Sequence, residues 1–179
     1  AAVVIVSNGP GELATWVKPI VDSLTKIKSD SAIKNNITYK IILTLVPCPN
    51  ATGNESKVAQ KWGTLDLVIS SRKFWQLLLK PSSFVKWPKK GIVIFLGGDQ
   101  LWSVLLAKRL GYSNITYAEW VARWPRWNCH IAAMNEEVKR KIPKKYKKKC
   151  TVIGDLMADI ANERITINEI NNKNWIAIL

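Results

Sequence analysis

The sequence predicts an α/β fold in which a parallel sheet carries helices on both faces. Three observations predict it. Short apolar, β-branched runs alternate with helical patterns along the chain, the order that a parallel sheet with right-handed crossovers requires. The runs 3–6 and 92–96 are continuously hydrophobic rather than alternating, as strands covered on both faces are. The second leads into Gly97, Gly98 and Asp99 and then into apolar residues 101–110, which reads as strand, tight turn and helix. With 179 residues, 47% hydrophobic and 22% charged, the chain is long enough for one domain with a substantial core.

Residues 1–6 form the first strand, β-branched and unbroken. The chain must then turn sharply through Ser7, Asn8, Gly9, Pro10, Gly11 and Glu12, because glycine admits unusual backbone angles and Pro10 has no N–H to give a ladder. A helix is predicted from about residue 11 to residue 27. Leu13, Trp16, Val17, Ile20, Leu24 and Ile27 recur at spacings of three and four and so share one face, while Pro19 distorts the middle. A glycine-rich strand-to-helix turn offers backbone N–H groups and the positive end of a helix, which makes Asn8, Gly9 and Gly11 candidate substrate contacts. The turn lacks the spacing of a dinucleotide fingerprint and the Lys-Ser/Thr of a phosphate-binding loop, and a plain structural turn accounts for it equally well.

Polar residues 29–36 read as a linker and residues 38–46 as the second strand. Two prolines and a glycine make 47–54 a loop; a short helix at 55–62 and a short strand at 67–69 follow. Between Arg72 and Lys90 there is no acid, and Phe74, Trp75 and Trp87 stand among six cations. That mixture suits a membrane interface, with rings at headgroup depth and lysines on anionic lipid. It equally suits an amphipathic helix packed on the sheet, and a third reading has bases stacked on Trp75 and Trp87, without the motifs that usually accompany nucleic-acid binding.

Asp99 stands at the carboxyl end of strand 92–96, where open α/β sheets bind their ligands; capping the next helix is the alternative. Helix 101–110, a Gly111 C-cap and strand 114–117 come next. Residues 118–127 hold three tryptophans and two arginines, among them Trp120, Arg123, Trp124 and Arg126. Arginine stacks on rings and grips phosphate oxygens, so this loop is a candidate binding element on the same sheet edge as Asp99. Strand 130–133, helix 135–141, a basic run at 144–149, strand 150–153 and the turn from Gly154 continue the alternation. Residues 171–174 resemble an interdomain linker and 175–179 the opening strand of a second domain, which divides the chain into 1–170 and 171–179.

The net charge of +14 points to an anionic partner: nucleic acid, an acidic membrane surface or a phosphorylated substrate. Three widely spaced cysteines with no Cys-x-x-Cys pair indicate neither a disulfide framework nor a zinc site and fit a reducing cytoplasm. The one histidine, His130, excludes a multi-histidine metal site and reads as a strand-end residue.

The order of motifs resembles the amino-terminal half of lipid-A-disaccharide synthases, a glycosyltransferase family with two Rossmann-like domains across a cleft, the GT-B arrangement. The resemblance is collinear over nearly the whole chain. Its anchors are the first strand followed by Gly11 and Glu12, the strand ending in Gly97, Gly98 and Asp99, the Trp-rich segment from Tyr117 to Trp127, and Gly154, Asp155, Leu156, Met157, Ala158, Asp159 against a Gly-His-x-x-Ala-Asp motif. Departures occur at Pro10 and Glu12, where the family has Ser-Gly-Asp, at Asp155 in place of its His, and at Asn135, Glu136 and Glu137 in place of its Pro-Phe-Glu. They fit a divergent branch with a different sugar or lipid acceptor.

The resemblance implies an inverting, metal-independent transfer of an acylated glucosamine. The donor is a UDP-sugar and the acceptor a lipid-linked sugar phosphate, with no other cofactor. It implies a cytoplasmic protein, peripheral on the inner face of the membrane, that does not bind nucleic acid and is inactive as this half alone. Asp99 is then the general base with Glu12 in reserve. Gly9, Gly11, Gly97 and Gly98 admit substrate to the backbone, Arg123 and Arg126 hold an acceptor phosphate, and Trp120 and Trp124 touch sugar or acyl chain. A non-catalytic sugar- or nucleotide-binding module and a basic nucleic-acid-binding protein are the competing classes.

Overall fold

A computed structural model describes residues 1–35, 38–49 and 51–158. The second-domain strand expected at 171–179, and Asp159 of the Gly154 motif, lie outside the described residues. Seven parallel strands form one sheet in the order β3-β2-β1-β4-β5-β6-β7. They are β1 (Ala2–Ser7), β2 (Lys40–Leu45), β3 (Leu67–Ile69), β4 (Gly91–Phe95), β5 (Ser113–Ala118), β6 (His130–Ala133) and β7 (Cys150–Val152). Every residue of β1 is buried, which is why its sequence is apolar without alternation.

Chain order and sheet order part company at β1. The chain moves outward from β1 to β2 and β3, then returns to place β4 on the other side of β1 and continues outward to β7. Helices α1 (Pro10–Glu12) and α2 (Lys18–Asn35) join β1 to β2, and Leu13, Val17, Val21 and Leu24 from this run pack with Val3, Ile5, Ile41 and Leu43 on one face. After the short α3 (Glu55–Gln60), helices α4 (Phe74–Leu79) and α5 (Gln100–Leu110) cover the opposite face, where Phe74, Leu77 and Leu106 meet Val4, Val6 and Val93. The helices after β1 and β4 thus leave in opposite directions, and the crevice between the carboxyl ends of these two strands is the topological switch point.

The helical run after β1 is longer than the sequence indicates. It continues to Asn35, through residues expected to be a linker. Polarity alone does not end a helix, and residues 20–35 contain neither glycine nor proline. Pro19 does perturb the run, one turn earlier than expected: residues Leu13–Val17 form a π turn in which Lys18 N–H bonds Leu13 O. Pro19 has no N–H to continue the regular ladder, and the slip is absorbed in the turn before it.

Residues 72–90 form no long amphipathic helix. α4 has six residues, flanked by 3₁₀ turns at Ser71–Lys73 and Pro81–Ser83, and the chain is irregular from there to β4. The end caps elsewhere match their residues. Gly111 closes α5 at φ 70°, and Asn135 Oδ1 accepts from Val138 N at 2.9 Å to open α6 (Glu136–Lys141).

Candidate active site at the carboxyl ends of β1 and β4

The turns after β1 and β4 lie against each other. Gly9 precedes α1 in extended conformation, with Pro10 at the first helical position, and Leu13 N–H closes back on Gly9 O at 3.1 Å. Within that first turn Glu12 folds toward the sheet. A Cβ at Gly9 would stand 2.6 Å from Glu12 Oε2. At Gly97 it would stand 2.8 Å from Asn8 Oδ1, 3.0 Å from Glu12 Cγ and 3.1 Å from Ser7 Oγ. Gly98 turns at φ 95°, and a Cβ there would strike Val46 at 2.7 Å. Two glycines at the end of β4 are therefore the condition for seating Glu12 and Asn8 in the crevice.

The polar groups here are only partly satisfied. Asn8 Nδ2 donates to Cys48 Sγ at 3.3 Å, whereas its Oδ1 is buried with no hydrogen-bond partner. Ser7 Oγ, on a fully buried residue, and the Nε1 of Trp16, one turn beyond Glu12, are in the same condition. Trp16 meets Tyr117 edge to face at 5.5 Å, and the Tyr117 hydroxyl donates to Gly154 O at 3.5 Å and accepts from Leu156 N–H at 3.4 Å. Unpaired buried polar atoms each cost about 1–3 kcal/mol, and in native proteins each calls for an explanation. Ser7, Trp16 and Tyr117 were not candidates from the sequence. The available signals were Ser7 as the one polar residue in β1 and Tyr117 next to the end of β5.

Asp99 is exposed at the same edge. Its Oδ1 accepts from Leu101 N–H at 2.9 Å, which makes it the N-cap of α5. The next residue, Gln100, donates from Nε2 to Val121 O at 2.8 Å and accepts from Arg123 N–H at 2.7 Å. This pair of bonds holds the start of the Trp-rich loop beside Asp99, with Trp120 71% exposed and Arg123 also at the surface.

The rest of that loop leaves the edge, contrary to the expectation that it lies there as a whole. Trp124, with φ 57°, stacks on Trp127 at 5.3 Å, and Lys108 Nζ sits 3.9 Å over the Trp127 ring. Lys108 lies eight residues along α5 from Gln100, about 12 Å at the helical rise. Lys149, just before β7, donates to the carbonyls of Arg126 and Asn128. Arg126 is thus near the amino ends of the strands, away from Asp99. Parallel neighbours require a return path, and since only a 3₁₀ turn at Pro125–Trp127 and no α-helix lies between β5 and β6, the loop itself makes the descent.

The residues expected at a membrane interface also separate. Phe74 has no exposed surface and belongs to the core beside Trp102; it cannot enter a bilayer. Trp87 is half-buried, packs on Tyr112 and donates from Nε1 to Pro81 O at 2.8 Å. Trp75 remains 54% exposed, at 5.1 Å from Trp102, with Leu79 77% exposed further along α4. Arg109 ties the end of α4 to α5 through Leu78 O and Leu79 O. Among the described residues no helix is long and apolar enough to cross a membrane.

No family model and no curated protein sequence matches the chain. Among solved structures, UDP-GlcNAc 2-epimerase from Methanocaldococcus jannaschii is similar with a TM-score of 0.57 at 17% identity, over 89% of this chain and 47% of that one. UDP-GlcNAc 2-epimerase from Neisseria meningitidis, solved bound to UDP-GlcNAc, matches over 100% of this chain and 54% of its own with a TM-score of 0.48 at 12% identity. The chain spans about half the length of the structures it matches. At these identities the likeness is one of fold, and the fold is Rossmann-like, that of the amino-terminal domain of a GT-B type enzyme.

Proposed function

We propose that the chain forms the acceptor wall of a GT-B type glycosyltransferase, inverting and metal-independent, that moves an acylated glucosamine from a UDP-linked donor to a lipid-linked sugar phosphate at the cytoplasmic surface of a membrane. The observation that carries this reading is the seating of Glu12 against Gly9 and Gly97 at the switch point between β1 and β4. Likeness of fold to an enzyme named for its action on UDP-GlcNAc supports a UDP-sugar as the donor.

In this reading Glu12, rather than Asp99, is the base. Its carboxylate takes the proton of the acceptor hydroxyl while that oxygen bonds the anomeric carbon, and the bond to UDP breaks with its electron pair on the phosphate. Asp99 fixes the first turn of α5. Trp120 and Arg123 face the acceptor's sugar and phosphate, while Arg126 and Trp124 lie too far down the loop to join them.

The test is transfer by the full-length protein between UDP-diacylglucosamine and a glucosamine-phosphate lipid. Glu12→Gln is expected to lower the rate by roughly 10²–10⁴, the ordinary value of a general base. Asp99→Asn is expected to stay within a few-fold of wild type. The reverse ranking returns the base to Asp99, and equal rates for all three proteins remove the assignment. Conversion of the UDP-sugar to its 2-epimer without acceptor replaces transfer by epimerisation.

A further inference from the structure

We propose that Gln100 is a positioning residue for acceptor recognition: it holds the segment from Trp120 to Arg123 at the strand-end edge, so that the Arg123 guanidinium meets an acceptor phosphate. This rests on the acceptor-wall reading and deepens it.

The geometry is specific to an amide. Gln100 opens α5, is 9% exposed and is fixed to the helix whose first turn Asp99 caps. Its Nε2 donates to Val121 O at 2.8 Å and its Oε1 accepts from Arg123 N–H at 2.7 Å. The two bonds straddle Ala122, which is buried in the cluster under the loop. Val121 O and Arg123 N–H point the same way only while Ala122 stays seated, so one planar head with a donor and an acceptor locks three residues. The flanking side chains, Trp120 and Arg123, are left free at the surface.

The loop has little else to hold it here. It contains no helix or strand before Pro125, and Trp124 takes a left-handed conformation that a bulky residue rarely adopts. Without Gln100, the segment has a part-buried carbonyl and amide left without these partners and a strained residue beside it. Gln100→Glu keeps the length but loses the donor and sets a carboxylate against Val121 O. Gln100→Leu keeps the volume and offers neither bond.

The test is binding of glucosamine 1-phosphate to the chain, followed by titration and by the Arg123 amide resonance. Wild type is expected to bind, with Arg123→Ala weaker. Gln100→Glu is expected to bind about tenfold more weakly near pH 7.5, as loss of the bond to Val121 O and a carboxylate set against that carbonyl imply. Once protonated, the carboxyl group that Gln100→Glu introduces carries both a donor and an acceptor. The ratio of the Gln100→Glu and wild-type affinities therefore recovers as the pH falls, and the phosphate's own titration cancels in that ratio. Gln100→Leu is expected to show the same loss with no recovery, and both variants are expected to shift the Arg123 amide. If wild type binds and Arg123→Ala weakens it while either Gln100 variant binds within twofold of wild type, the role of Gln100 is overturned and the acceptor wall stands. If wild type does not bind, or Arg123→Ala binds equally well, the acceptor assignment falls and takes this role with it.

Discussion

Glu12 and Gly97, 85 positions apart in the chain, are in such close contact that a methyl group on Gly97 would lie 3.0 Å from Glu12 Cγ. The contact joins the first turn of the helix after β1 to the turn that ends β4. It is what makes a site out of two ordinary strand ends.

Gly97→Ala is therefore expected to displace Glu12 and Asn8 and to cost about 1–3 kcal/mol, the range for overpacking. Gly11 has open space around the position of a Cβ and lies in α1, so Gly11→Ala is expected to be neutral or to stabilise by up to about 1 kcal/mol. Urea denaturation of the two variants checks the contrast. Equal losses would mean that the crevice is not packed as described.

Asp99 is expected to report on helix capping. Asp99→Ala should cost about 1 kcal/mol, while Asp99→Asn keeps an acceptor for Leu101 N–H and should leave stability nearly unchanged. Thermal midpoints of the two variants distinguish a cap from a carboxylate whose charge is itself required for the fold.

The apolar face of α4 and α5 is expected to bind anionic vesicles. Replacing Trp75 and Leu79 together by serine should reduce co-sedimentation several-fold without loss of stability, because both side chains are largely exposed. Phe74→Ala should instead cost about 3–5 kcal/mol, as buried aromatic truncations do. Unchanged sedimentation of the double variant rejects this face as the interface.

Acidification is expected to destabilise the domain in two stages. Burial holds the His130 pKa below 6.5, so the native state prefers the neutral ring while the unfolded chain takes up a proton. That contribution is complete above about pH 6.5 and disappears as pH falls through the lower native value. Burial pushes the Glu55 carboxyl upward, but backbone N–H groups of Glu55, Thr52 and Gly53 and the Thr52 hydroxyl pull it below 4.5 overall. Its contribution is present above about pH 4.5 and is lost below it, as the pH falls through the native value. His130→Gln should remove the first stage and spare the second, read from denaturation midpoints between about pH 2 and 8.

Much of the fold is legible from local chemistry. The unbroken apolar runs of β1 and β4 mark strands covered on both faces, and Gly111 and Asn135 mark helix ends, because in each case a residue and its near neighbours carry the physical reason. The readings that failed did so for two reasons. Residues 29–35 continue a helix because polarity by itself does not break one, whereas Phe74 is core because distant Trp102 and the sheet close over it.

The candidate site divides in the same way. Glycines at 9, 97 and 98 can be read as turns that admit close approach, and the stretch from Ala118 to Trp127 as a binding loop, since composition alone gives them those properties. Composition could not show that Arg123 stays at the edge while Arg126 descends, because that depends on a crossover between β5 and β6 that has no α-helix. Nor could it choose between two carboxylates. The sequence by itself determined an α/β domain with acids and glycines at strand ends; the tertiary structure decided that Asp99 caps its own helix while Glu12 enters the crevice, because only strand order puts the turn after β1 against the turn after β4.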